Sequence, residues 1–282
     1  MRSLLMKKYL SKFIKNHYKT IFKSLVESDS EYLSINKLEL ELKKNCKLGK
    51  KKDKIYLIPD EIITPFVLKN KHWDYEIIKF IKKHKIKTNN IFLDVGSNIG
   101  LVSKQLIESD TKIKKILCFE PNKNSFECLK LNLSLNKKVN LYNFGLGLKN
   151  QSLKLYKNKM NSGDSSFIKK KGNFDICKIK NINSFFKENK KILGGKNLIY
   201  KSDTQGMDEE IFLGLKEKYF KNINIAIIEI SNHKFITENK KKFYSRLKSF
   251  KIINDKNLRN IKIDQIKKKI INKEEFDLFL KR

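Results

Sequence analysis

Arginine is almost missing from this basic chain. Of its 63 Lys+Arg residues only Arg2, Arg246, Arg259 and Arg282 are Arg, and with 30 Asp+Glu the net charge is +33. Arg is the side chain that forks onto phosphates and guanines. Its scarcity argues against a dedicated nucleic-acid reader, although the charge still attracts anionic surfaces non-specifically. Lys, Asn and Ile are abundant along the whole length, which has the character of a coding bias. Proline is confined to Pro59, Pro65 and Pro121. The four cysteines (Cys46, Cys118, Cys128, Cys177) make no C-x-x-C pair and have no His at metal-ligand spacing. They read as reduced, buried thiols of a cytosolic protein. No apolar run is long enough to span a bilayer.

Residues 1–28 carry apolar residues at helical spacing (Leu4, Leu5, Tyr9, Leu10, Phe13, Ile14, Tyr18) with lysines between them. The lysines interrupt any signal-peptide core. The pattern predicts a helix docked on the main domain or a partner, with peripheral contact to an anionic membrane as the alternative. A further helix is expected over Glu31 to Leu42, and the lysines between 43 and 54 read as a solvated linker. The expected domains are therefore 1–50, a basic helical extension and linker, and 51–282, the main domain. Ile55 to Leu68 reads as short strands or turns, and Trp73, the single Trp, as a packing anchor.

From about residue 89 strands and helices alternate, the pattern of a mostly parallel sheet with helices on both faces. Expected strands cover 91–95, 113–120, 139–144, 197–203, 223–230, the region near Ile252, and 276–280. In such sheets ligands lie beyond the carboxyl ends of the strands. Those ends carry Asp94 and Gly96, Glu120, Asn143, Asp203 to Asp208, and Glu229 to His233. An acidic edge on a basic protein is informative.

The first strand runs into Asp94-Val95-Gly96-Ser97-Asn98-Ile99-Gly100, a glycine turn opening a helix. Glu120 follows Gly96 by 24 residues, where a carboxylate accepts hydrogen bonds from both ribose hydroxyls of an adenosine cofactor. A dinucleotide needs its pyrophosphate over G-x-G-x-x-G. Here Asn98 stands at the middle glycine, and Asp94 disfavours an adjacent pyrophosphate. S-adenosylmethionine brings an ammonium and a sulfonium, which an acid favours, and a carboxylate that helix N-terminal amides can hold. There is no Walker lysine. Candidate cofactor-binding residues are Asp94, Gly96, Ser97, Asn98, Gly100, Glu120 and Asn143.

Phe92 to Gly100, Phe119-Glu120-Pro121-Asn122, Phe126-x-x-Leu129-x-x-Asn132 and Tyr200 to Asp208 together resemble the FkbM-type family of S-adenosylmethionine-dependent methyltransferases. The match runs from about Trp73 to Leu280. The Tyr200 to Asp208 block departs mildly, since similar proteins often carry an aromatic or Ala at Met207 and Glu at Asp208. The resemblance implies a class I, Rossmann-like seven-stranded fold and methyl transfer, commonly to oxygen on sugars or natural products.

Transfer to a hydroxyl needs a base within hydrogen-bond reach. Asp203, Glu229 and His233 are the candidates, with Asp203 first; Asp203 also reads as a cap of the following helix. No dense acidic cluster appears, so no metal is expected. The loop Asn161 to Ser166 is placed to close over the site. The expected acceptor is a small molecule or glycan. The alternatives are an RNA ribose methyltransferase, and a non-catalytic nucleotide-binding or membrane-docked module.

Overall fold

The computed structural model describes residues 37–84, 89–109, 112–158, 161–168 and 172–282. The amphipathic pattern of residues 1–28 lies outside them. Strand β3 (Asn90–Val95) is buried at every position. A strand buried on both faces belongs in the middle of a parallel sheet, and β3 is there. The seven-stranded sheet has the order β11 (Ile252–Asn254), β12 (Phe276–Lys281), β10 (Ile223–Ile230), β9 (Asn197–Ser202), β3, β4 (Ile113–Phe119), β5 (Val139–Tyr142). Only β12 runs against its neighbours. This is the mostly parallel seven-stranded sheet expected from the strand pattern.

Period-two alternation sorts the side chains of β3. Ile91, Leu93 and Val95 enter a core with Leu117, Phe119, Tyr200 and Phe212. Phe92 points to the opposite core, with Phe80, Val102, Leu106 and Phe279. The first core is covered by α7 (Asp208–Gly214), α10 (Lys240–Lys248) and α11 (Ile263–Ile271); the second by α2 (Tyr75–Lys83), α3 (Leu101–Glu108) and α4 (Lys123–Leu133). The remaining helices are α1 (Ile63–Asn70), α5 (Ile182–Glu188), α6 (Lys190–Leu193), α8 (Glu217–Phe220) and α9 (His233–Glu238).

Several expectations need correction. The described part of Glu31 to Leu42 is a strand, β1 (Leu38–Glu41), paired antiparallel with β2 (Lys54–Leu57). The lysine-rich stretch between them is a packed hairpin that straddles the expected border at residue 50. Leu38, Leu42, Leu48, Ile55 and Leu57 are buried in one cluster while the lysines stay outside. The lysines masked this alternation in the sequence. Within Ile55 to Leu68, α1 tolerates Pro65 because first-turn amides have no intrahelical partner. A second sheet joins β6 (Gly145–Gly147), β8 (Phe174–Asn181) and β7 (Gln151–Tyr156), in that order; the sequence predicts a hairpin strand over Ser152 to Tyr156, which is β7, but neither β6 nor β8.

Asn132 ties the hairpin to the sheet. Its Oδ1 accepts from Tyr56 N at 2.9 Å, and its Nδ2 donates to Tyr56 O at 2.9 Å and Ile99 O at 2.8 Å. A residue of the Phe126-x-x-Leu129-x-x-Asn132 block thus joins β2, α4 and the β3–α3 turn. Asn132→Ala strands three backbone groups and is expected to cost about 2–4 kcal/mol. Urea unfolding measures this; a loss below about 1 kcal/mol would remove Asn132 from that role.

Candidate functional site

The turn after β3 is held at the carboxyl edge of the sheet by neighbouring strands. Gly96 N and Ser97 N both donate to Phe119 O at 3.0 Å, and Gly100 N donates to Ser97 O at 2.8 Å. Ser97 Oγ donates to Asp94 O at 2.6 Å. Gly96 has φ +74°, and a Cβ there would lie 1.9 Å from Asp203 O. Only glycine lets the β3 and β9 turns approach this closely. Gly100 serves packing: its added Cβ would meet Leu129 Cδ1 at 2.5 Å.

Asp94 lies on the α3 face of β3, where Ser103 Oγ donates to its Oδ2 at 2.5 Å. Across the parallel register it faces Lys201 of β9. Lys201 Nζ is 3.2 Å from Asp94 Oδ1 and 3.8 Å from Asp203 Oδ2, and it donates to Gly96 O at 2.7 Å. Burial works to lower the Lys201 pKa, but Asp94 and Asp203 outweigh it and hold the ammonium above its ordinary range. The Asp94 charge is thereby matched within the protein.

Glu120 closes the far side of the turn. Its Oε2 accepts from Asn98 N and its Oε1 from Asn122 N, each at 2.8 Å. The carboxyl is pushed up to about 7 by burial, against the lowering effect of those two amides.

The turn after β9 is built around Asp208, the first residue of α7. Its carboxylate accepts from Ser202 Oγ and from Thr204 N at 2.9 Å. Asp208, rather than Asp203, therefore holds this turn, which leaves the Asp203 carboxylate at the cavity wall. Gln205, in a left-handed conformation (φ +55°), donates to Asp203 Oδ1 at 2.8 Å and to the Glu229 carboxyl at 3.3 Å. Burial, then the charges of Asp203 and Asp208, push Glu229 up to about 9. Glu209 Oε1 accepts from Ser231 N at 2.6 Å and Asn232 N at 2.8 Å, and its carboxyl is pushed up to about 7, chiefly by burial.

These turns wall an open cleft of about 1060 Å³ including its mouth. Gly96, Ser97, Asn98, Glu120 and Asp203 line it, five of the ten candidates. The other five do not. Asp94 sits behind the turn on Lys201, and Gly100 against α4. Asn143 is exposed, and its Nδ2 donates to Glu120 O at 2.9 Å. Glu229 reaches the wall only through Gln205. His233 begins α9, and both its ring nitrogens are buried without a hydrogen-bond partner among the described residues. Burial lowers its pKa. Trp73, Asp74, Lys201 and Gln205 also line the cleft. None of these four stands among the ten candidates. Trp73 is a packing anchor as well, touching two core clusters. The loop from Asn161 does form part of the wall, through Asn161, Ser162, Gly163 and Ser165.

A family profile described as the methyltransferase FkbM domain matches residues 94–256. No curated protein matches. Among solved structures the chain is similar to a methyltransferase FkbM from Methylobacillus flagellatus (12% identity, TM-score 0.46, covering 74% of this chain and 48% of that one). It therefore spans about half the length of that protein. It is also similar to TrmK of M. capricolum in complex with S-adenosyl-homocysteine (13% identity, TM-score 0.38, 73% and 67% covered). A third is a SAM-dependent methyltransferase from Agrobacterium tumefaciens (8% identity, TM-score 0.40, 89% and 70% covered).

The raised carboxyls make stability depend on pH. A carboxyl at about 7 in the fold binds a proton that the unfolded chain, near 4.5, has released. The stability from Glu120 and Glu209 is present below about pH 4.5 and is lost as pH rises through about 7. Glu209→Gln keeps the acceptor for Ser231 N and removes one titrating group. The variant is expected to lose less of its urea midpoint than the unmutated chain between pH 5 and 8. Equal slopes would contradict a raised Glu209.

Proposed function

The chain belongs to the methyltransferase FkbM domain family, and from that premise we propose that it methylates a hydroxyl of a sugar, glycan or small polyhydroxylated natural product. The observation that carries the reading is the character of the cleft wall. Three carboxyl residues, Asp74, Glu120 and Asp203, line it with Trp73. Lys201 is its one cationic residue among the described residues, and Asp94 already pairs with it. Such a wall disfavours anionic acceptors. An aromatic ring beside carboxylates suits a neutral polyol, which offers an apolar face and hydroxyl donors.

The cofactor of this family is S-adenosylmethionine, and the residues present fit it. Glu120 is buried at the cleft with oxygens able to accept further hydrogen bonds from ribose hydroxyls. Asn98 Oδ1 is buried at the wall with no partner among the described residues, an acceptor suited to an ammonium or hydroxyl. Gly96 keeps the turn free of a side chain. When bound, S-adenosylmethionine supplies an electrophilic methyl group on a sulfonium.

Asp203 is the base we assign. It is partly exposed to the cleft, and Gln205 and Lys201 fix it from the protein side. There it accepts the hydroxyl proton of the acceptor as the new bond forms. Glu229, pushed up to about 9 by burial and nearby acids, is protonated at neutral pH and is a poor base. It holds Gln205 in place. His233 lies off the cleft wall.

An RNA ribose acceptor would be the reading suggested by charge. The described arginines oppose it. Arg246 donates to Phe212 O and Leu215 O, Arg282 donates to Ile223 O at 2.6 Å, and Arg259 pairs with Asp255 at 3.3 Å. They brace the fold. A cytoplasmic location is proposed with the activity; among the described residues no helix is long and apolar enough to cross a membrane.

Calorimetry is expected to detect S-adenosylhomocysteine binding and no tight binding of NAD. Glu120→Ala should weaken the former at least roughly tenfold; unchanged affinity would remove the ribose role. Radiolabelled methyl is expected in a panel of neutral oligosaccharides and glycosides rather than in total RNA. Asp203→Asn should lower that labelling about 100-fold, with S-adenosylhomocysteine affinity nearly unchanged. Labelled RNA, or full labelling by Asp203→Asn, would overturn the acceptor class or the base.

A further inference from the structure

We propose that Asp60 is a positioning residue for the ligand cleft: through Ser162 it clasps the segment 161–166 across the cleft, and release of that clasp sets how fast the cofactor product leaves. The inference rests on the proposal that this cleft holds S-adenosylmethionine.

Asp60 is buried, and its two oxygens serve different parts of the chain. Oδ1 accepts from Ile62 N at 3.2 Å and Thr64 N at 2.9 Å, capping the start of α1. Pro65 has no N–H, so few first-turn donors remain for a cap to satisfy. Oδ2 accepts from Ser162 N at 3.0 Å and Ser162 Oγ at 2.7 Å, 102 residues away. A helix cap needs only the first oxygen. The second is committed to the segment.

The clasp brings that segment onto the glycine turn. A Cβ at Gly163 would lie 3.0 Å from Ile63 Cδ1 and 3.5 Å from Asn98 Nδ2. The other end is pinned to the β9–α7 turn, where Ser166 Oγ donates to Gln205 O at 2.7 Å. The segment is stiffened internally: Gly163 N donates to Asn161 Oδ1 and Asp164 N to Asn161 O, both at 3.0 Å. Its Ser166 end is fixed further by a backbone bridge to β7, Tyr156 N donating to Ser166 O at 2.9 Å and Ser166 N to Tyr156 O at 3.0 Å, while the Asp60–Ser162 clasp ties Ser162 to the start of α1. The Ser166 bond reaches Gln205, which donates to the proposed base Asp203, whereas the Asp60–Ser162 clasp touches neither. The clasp acts on ligand exchange, through Ser162.

Trp73 is the single Trp and lines the same cleft, so its emission reports occupancy. Stopped-flow dilution of the protein–S-adenosylhomocysteine complex gives the dissociation rate, and calorimetry establishes binding independently. Ser162→Ala removes one hydrogen bond of the clasp and is expected to speed dissociation roughly three- to tenfold, with little change in melting temperature. Ser162→Thr keeps the hydroxyl and should restore the original rate. Asp60→Asn should accelerate release further; if it fails to fold, the Ser162 pair decides alone. An unchanged rate in Ser162→Ala, or a change in melting temperature without one in rate, would overturn the clasp. Failure of the unmutated chain to bind S-adenosylhomocysteine in the calorimeter would overturn the reading of the cleft, and the clasp with it.

Discussion

The site depends on one buried contact, Lys201 between Asp94 and Gly96 O. Two charges taken from water each carry a desolvation cost of several kcal/mol, recovered only when geometry and hydrogen bonding are both good. Here β3 and β9 are in parallel register, so the acid and the base meet directly at the centre of the sheet. The same ammonium holds the Gly96 carbonyl and lies 3.8 Å from Asp203. A single cation thus sets the glycine turn, neutralises the acid behind it and fixes one side of the cleft. Removing it would leave Asp94 buried and unmatched, a change of the kind that costs about 3–5 kcal/mol.

This pairing changes the electrostatic meaning of the site. An acid at the end of β3 suggests a direct counter-charge for a sulfonium cofactor, yet Asp94 faces Lys201 and Ser103. The carboxyl character of the cleft comes from Asp74, Glu120 and Asp203. The net charge of +33 therefore says little about the cleft. Charge counts add up the surface, whereas a ligand meets only the groups that line its cavity.

Burial separates residues of the same type into different roles. Asp208 and Glu209 bind backbone amides of turns, Glu229 is held protonated beside Gln205, and Asp203 keeps an open side. At the strand ends all four look alike in the sequence. Their distinction lies in which amides each meets and how much water each retains.

Local pattern was enough for the sheet, because strands buried on both faces read as near-continuous apolar runs, and Ile91–Val95 and Ile223–Ile230 do so, broken only by Asp94, Asn224 and Glu229. It was also enough to place the glycine turn and Glu120 at the carboxyl ends of β3 and β4. Pattern failed where charge hid alternation, as in the β1–β2 hairpin, and where contacts join distant segments. Asn132 meets Tyr56 across 76 residues and Asp60 meets Ser162 across 102. The sequence by itself determined the strand order's raw material and the place of the glycine turn. Only the tertiary structure decided that Lys201 cancels Asp94, that Asp203 alone of the three proposed bases lines the cleft, and that segment 161–166 is tied down over it. Hydrogen bonds and desolvation act through space at a few ångströms, and spacing along a chain does not report those distances.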